Sequence, residues 1–360
     1  MKKRLFAVCA VAGLVLSLAV AALAHDEKSD TTPGEKVERS LAVNGEAIVT
    51  LCVASGTLKV RGWEKSEIRV RSIDATQIDF RRIDKTKDPS RPPSRIDVMV
   101  LNKSTGTNPK FDCQAIADVD MEVPAGATVQ VQTRDGDIVV AGVAGVYAGS
   151  QNGDITIERA TKLVEAGSVG GSISLKDSSG RINLSSAGGG VDAINIRAAS
   201  DDDTFDVGTV SGDIQLVRVS NPKVTAKSVN GTLTMSGPLA KSGSYGFTNM
   251  TGDIILAMPN DASFQLNAKV SDKHNIVSEF NLKYLSNATP PPPPAKIKPK
   301  TPEAKGKTPA PASGPVIEPI VVQKPLPSPY VLRRVSAVCG SGDASISIAS
   351  FGGTVRLKKI

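Results

Sequence analysis

One short unit returns along the middle of this chain and limits what the chain can fold into. It reads Gly-x-Ile/Leu-x-aliphatic, usually with Ser or Asn before the glycine and often with Asp after it. It occurs at Gly136-Asp137-Ile138, Gly153-Asp154-Ile155, Gly171-Ser172-Ile173 and Gly180-Arg181-Ile182, then at Gly212-Asp213-Ile214, Gly231-Thr232-Leu233 and Gly252-Asp253-Ile254. The steps are 17, 18, 9, 32, 19 and 21 residues. A full period of about 19 fits them: the 9 is half a turn, and the 32 is one and a half turns with an insertion at Asp201-Asp202-Asp203. Alternation with period 2 puts Ile138 and Val140 on one face and small or polar partners on the other. The glycine supplies a positive-φ turn. Second short strands such as Val146-Tyr147-Ala148 lie between the units. Two strands of that size cannot bury an apolar face alone, whereas coils stacked about 4.8 Å apart share one core. The expectation is an all-β, single-domain β-solenoid. A shortage of aromatic residues, 4% of the chain, fits a narrow aliphatic interior.

The flanks are also β-rich. Residues 46–72, 96–100 and 116–132 alternate in the same way. Val119–Val129 and Ile255–Phe264 resemble one another, each reading strand, Pro turn, strand. The pattern resumes at Ser345-Ile346-Ser347-Ile348 and Gly353-Thr354-Val355. The organisation expected is a signal peptide at 1–24, a flexible leader at 25–40, an N-terminal β region at 41–133, solenoid repeats at 134–284, a Pro/Lys-rich disordered insertion at 285–330 and closing strands at 331–360.

Lys2, Lys3 and Arg4 followed by the apolar run Phe6–Leu23 and Ala22-Leu23-Ala24 read as a secretory signal cut before His25. The run is also about long enough to serve as an uncleaved anchor. The formal charge of +7 belongs partly to this segment. All of the remainder lies at 285–330, where six lysines stand against Glu303 and Glu318 among 14 prolines. The rest of the chain is neutral, so the basic character does not define a nucleic-acid face. Cys52, Cys113 and Cys339 remain after cleavage, and Cys52 with Cys113 is the preferred pair in an oxidising compartment.

Gly62–Val70 (GWEKSEIRV), Val123–Val131 (VPAGATVQV) and the closing Gly353–Lys359 (GTVRLKK), together with the Gly-Asp-Ile rungs, resemble the bacterial putative-adhesin β-solenoid family. The resemblance covers about residues 41–284 and 331–360; the Pro/Lys insertion and the Asp201–Asp203 loop depart from it. It implies a solenoid, an envelope location and an adhesive or surface role. It brings no catalytic residues.

Acidic residues are the remaining candidates for chemistry. Asp137, Asp154, Asp213 and Asp253 could line up as a cation- or glycan-binding ladder, but Asn/Ser-Gly-Asp is good turn chemistry in any case. Asp201-Asp202-Asp203-Thr204-Phe205-Asp206 has calcium-like ligands without calcium-loop spacing. Asp192 with Asp206 could form the carboxylate pair of a polysaccharide enzyme. Trp63, the single Trp, suits packing better than a sugar platform. With no catalytic, cofactor or metal site evident, the reading is a non-catalytic exported envelope protein. It would bind a cell-surface or cell-wall component through the polar outer face of the strands, for which Thr156 and Thr234 are markers. A self-associating structural protein and a β-helix polysaccharide enzyme are the alternatives.

Overall fold

The computed structural model describes residues 36–84, 90–102, 113–271, 276–285 and 332–360. The signal peptide and residues 286–330 of the Pro/Lys insertion lie outside the described residues, while the leader expected to be flexible through residue 40 is a strand from Val37 to Ala42, held by pairing with Glu67–Ser72. Two large sheets of 13 and 14 strands, here the first and second sheets, face one another. Each coil gives one strand to each. A coil is short: Ile155–Glu158 in the first sheet, a corner, then Leu163–Ser168 in the second. The period-2 pattern sends Ile155 and Ile157 inward and leaves Thr156 and Glu158 outside. Successive coils pair in parallel and in register, so Ile138, Ile155, Ile173, Val191, Ile214, Leu233 and Ile254 form one buried column. The β-solenoid expectation therefore holds. Gly180 opens Arg181–Ser186, a strand of the second sheet, which is why it fell half a period out of step.

The corner before each first-sheet strand is built from glycine. A Cβ on Gly153 would sit inside the carbonyl of Gly136 one coil below, and a Cβ on Gly171 would meet the carbonyl of Gly153 in the same way. The column continues through Gly189, Gly212, Gly231, Gly252 and Gly353. This corrects the sequence-based account of the repeat. Gly231 and Gly252 do have positive φ, 147° and 116°, but Gly136, Gly153, Gly171 and Gly212 do not. At those positions the close approach of the neighbouring coil excludes a side chain, not the backbone angle.

A buried hydroxyl ladder braces the same corner. Ser168 Oγ donates to Gly153 O at 3.0 Å and accepts from Gly171 N at 2.9 Å. Ser150 and Ser186 repeat both bonds. Each serine lies three residues before a column glycine, a spacing the repeat as first read did not include.

The coils are not stacked in chain order. Strands Ile48–Ser55 and Leu58–Trp63 lie between Arg95–Leu101/Val119–Pro124 on one side and Thr128–Asp135/Ile138–Ala141 on the other. At the other end, Ala344–Ser350 and Val355–Lys359 lie between Ser244–Thr251/Ile254–Met258 and Phe264–Ser271/Ile276–Ser278. The chain skips one coil at two corners, after Val119–Pro124 and after Ile254–Met258. These are the two similar strand-Pro-strand stretches noted in the sequence. In each, the alanine three residues after the proline donates its N–H back to the proline carbonyl, Ala127 to Pro124 and Ala262 to Pro259. Antiparallel strands then flank the stack: Glu67–Ser72 on the first sheet and Gln77–Arg82 on the second at one end, and Leu332–Cys339 on the second sheet at the other, where the first sheet ends among the described residues at Ile276–Ser278. Lys283–Tyr284 pairs with that last strand, so the residues flanking 286–331 run side by side.

The interior also differs from expectation. Phe205, Tyr245, Phe247 and Phe264 are among its largest fully buried side chains, so the core accepts aromatics toward the C-terminal end. The Tyr245 hydroxyl accepts the Ala240 N–H at 2.6 Å. Burial raises its pKa above the ordinary 10.0, against a lowering by that hydrogen bond.

Two outcomes follow. Gly153→Ala should destabilise the fold by about 3 kcal/mol. Gly149→Ala, whose Cβ would meet only Gln132 Cγ at 3.8 Å, should change it by less than about 0.5 kcal/mol in urea unfolding. Tyr245 stays neutral when folded above pH 10, where unfolded tyrosine ionises. Its contribution is thus full below pH 10 and is lost as pH rises past it. Chemical denaturation at pH 9 and 11 should show a smaller alkaline loss in Tyr245→Phe than in the parent; an equal loss would refute the assignment.

Candidate binding face

The outer face of the second sheet carries two rows of side chains fixed by the parallel register. The first runs Thr50, Gln130, Tyr147, Glu165, Asn183 and on through Asp206 and Thr225. Beside it runs a row of small residues, including Gly149, Gly167, Ser185 and Gly208. Missing side chains make this second row a trough. Two depressions open on it. One, of about 460 Å³, has Gly149 and Gly167 in its lining with Gln130, Tyr147, Glu165 and Asn183. The other, of about 440 Å³, lies toward the C-terminal end over Gly246, Ser347 and Ala349. Beyond the small row, at the corner, exposed apolar residues recur: Val169, and then Val210, Val229 and Met250 on three successive coils.

Tyr147 is the aromatic of the first depression. It is half-buried, with Gln130 and Glu165 as its cross-strand partners. Its backbone neighbours Val146 and Ala148 point into the core, so alternation alone marks it as outward-facing. An amphipathic ring flanked by amides and a carboxylate can stack on an apolar sugar face and hydrogen-bond its hydroxyls.

The first sheet's outer face carries Thr156 and Thr234, the markers chosen from the sequence. The depressions described on the second sheet shift the candidate away from them. At the N-terminal end of the first sheet, one carboxylate already pairs two cations. Glu122 takes Arg69 at 2.5 Å and Arg71 at 3.4 Å.

The acidic candidates resolve into turn and loop chemistry. Asp154 Oδ1 accepts the Ser172 N–H at 2.7 Å, and Asp137 Oδ1 accepts the Asp154 N–H at 2.9 Å. Asp213 and Asp253 hold the N–H groups of Thr232 and Thr354 on the next coil. Each carboxylate thus staples one coil to the next. In the Asp201–Asp203 loop, buried Asp203 accepts from Ala199 N and Ser200 N, both at 2.7 Å. Asp192 and Asp206 face outward from opposite sheets with the core between them, so they form no catalytic pair. No cluster of three His, Cys, Asp or Glu suited to a metal occurs among the described residues. Trp63 donates Nε1–H to Glu67 O, with Lys65 and Arg69 over its ring at 4.9 and 4.6 Å. Cys52 and Cys113 form a disulfide, and Cys339 is a buried thiol whose pKa burial raises. Among the described residues no helix is long and apolar enough to cross a membrane.

The geometry defines a two-sheet parallel β-solenoid with antiparallel strands at its ends and a trough along one outer face. Residues 118–279 match the family model Toastrack DUF4097. No curated protein matches the chain. Among solved structures, it is similar to a protein of Parabacteroides merdae ATCC 43184 described as a putative adhesin. The identity is 10%, the coverage 63% of this chain and 90% of that one, and the TM-score 0.40. A protein of Clostridium sporogenes ATCC 15579 described as a putative cell adhesion protein gives 10% identity, coverage of 91% and 100%, and a TM-score of 0.19. Both likenesses are too distant to bring a ligand or partner with them.

If Asp154 serves the turn, Asp154→Asn keeps the acceptor oxygen and should leave stability within about 0.5 kcal/mol. Asp154→Ala should cost about 1 kcal/mol. Added calcium should not raise the melting temperature. Equal losses in both variants, or a calcium-dependent gain, would revive the cation ladder.

Proposed function

We propose that this protein is a non-catalytic, exported envelope module that binds glycans along the trough of the second sheet. The observation that carries the reading is the first depression, where the Tyr147 ring, the amides of Gln130 and Asn183 and a glycine floor converge. Such a face has many equivalent rungs and binds by repeated weak contacts, so avidity replaces a deep pocket. Export is supported by the signal-like residues 1–24 and by the Cys52–Cys113 disulfide, which persists in oxidising compartments. Antiparallel strands over both sheets at one end and over the second sheet at the other argue against end-to-end self-association as the main role.

The test is a glycan and cell-wall binding screen of the chain from His25 onward, with and without residues 288–329. The account expects binding by both forms. Tyr147→Ala should weaken it about tenfold, the worth of one aromatic platform. Thr156→Lys and Thr234→Lys, on the opposite sheet, should leave it unchanged. Binding abolished by the threonine changes but indifferent to Tyr147→Ala, or lost with residues 288–329, would overturn the reading.

A further inference from the structure

We infer that the C-terminal half of the trough selects carboxylated polysaccharides, chains carrying uronate groups. This deepens the glycan reading and rests on it. Over the last strands of the second sheet the two rows change character. The small row becomes Lys227, Thr248, Ala349, Lys269 and Arg334, each in register with the next. The row beside it becomes Thr225, Gly246, Ser347, Asn267 and Ser336, in the same register. Lys227, Lys269 and Arg334 are exposed, and none of them makes an ion pair with another described residue.

No carboxylate stands among these ten positions, whereas Glu165 and Asp206 stand on the first row in the N-terminal half. Lys269 and Arg334 are direct cross-strand partners at one end of the depression, and Lys227 lies three strand spacings from Lys269, roughly 14 Å. Two cationic points separated by small and hydroxylated residues match a chain whose charges recur at intervals with hydroxyls between them. Ser336 Oγ donates to Asn267 Oδ1 at 3.1 Å, which engages the amide oxygen across the strands and leaves the Asn267 NH₂ as a donor for a ligand. Gly246 and Ala349 keep the floor low, so a flat ring can approach the backbone.

Other anionic partners fit less well. A single-stranded nucleic acid stacks its bases on aromatic platforms, and none of these ten outward positions is aromatic. An anionic membrane would meet cations set in a depression, while the exposed apolar residues at the corner, Val229 and Met250, stand beside them rather than around them.

Sodium polygalacturonate is the probe, measured by calorimetry against the chain from His25 onward, with dextran as the neutral polymer and phosphatidylglycerol vesicles as the lipid surface. Polygalacturonate should bind, and the affinity should fall with added salt. The double charge reversal Lys269→Glu/Arg334→Glu should weaken it about tenfold or more. Lys176→Glu, on the outer face of the first sheet, should change it less than about twofold. Circular dichroism and urea midpoints of both variants establish that they fold. Polygalacturonate binding that survives the double reversal overturns this inference, as does binding to the vesicles in place of the polymer. If Tyr147→Ala still weakens binding of a neutral glycan in that case, the broader glycan reading stands and only the anionic specificity fails.

Discussion

The contact on which the structure depends is backbone against backbone at one corner. From Gly136 to Gly353, each coil turns at a glycine that rests on the carbonyl of the glycine below. A side chain there would push neighbouring coils apart and break the parallel hydrogen bonding on both sheets. With the corner closed, strand spacing is fixed, and the Ile, Val and Leu columns come into register. The core is thus a consequence of the corner. Hydroxyls of Ser150, Ser168 and Ser186 and carboxylates of Asp137, Asp154, Asp213 and Asp253 serve the same end, by satisfying the N–H and C=O groups that a tight turn leaves over.

A uniform stack has an obvious weakness: two open ends, each a row of unpaired strand edges. This chain answers it by threading. At each end one coil is inserted out of order between two others, and antiparallel strands flank the stack. The closing segment, residues 344–359, is therefore an internal coil of the stack and not a tail. The trough inherits its continuity from this insertion, because Ala349 fills the gap between Thr248 and Lys269.

The repeat, the two-strand coil and the buried columns were legible from the sequence because alternation and glycine spacing state them locally. The insertion near Asp201–Asp203 was legible too, from the lengthened step. The order of the coils was not: nothing within residues 344–359 names its neighbours, since every rung is chemically alike. Only the paired Pro corners carried a trace of the skips. The reason for the glycines was misread in part, because a close backbone approach and a positive φ select the same residue. The trough of the second sheet was not legible. The outward positions of the second sheet are mostly glycine, serine and amides, which carry little signal singly and make a trough only when stacked. Tyr147 could have been picked out by parity within its strand.

The interleaving of coils is tested most directly by paired cysteines in a Cys339→Ser background. Thr248→Cys with Ala349→Cys places two thiols on adjacent parallel strands, about 4.8 Å apart at the backbone and within disulfide reach. Thr248→Cys with Lys269→Cys places them two strands apart, about 9.6 Å, and out of reach. Mild oxidation followed by peptide mass mapping should give the 248–349 bridge and no 248–269 bridge. A 248–269 bridge in the folded protein would mean that the coils follow chain order, and the continuous face described for the second sheet would not exist.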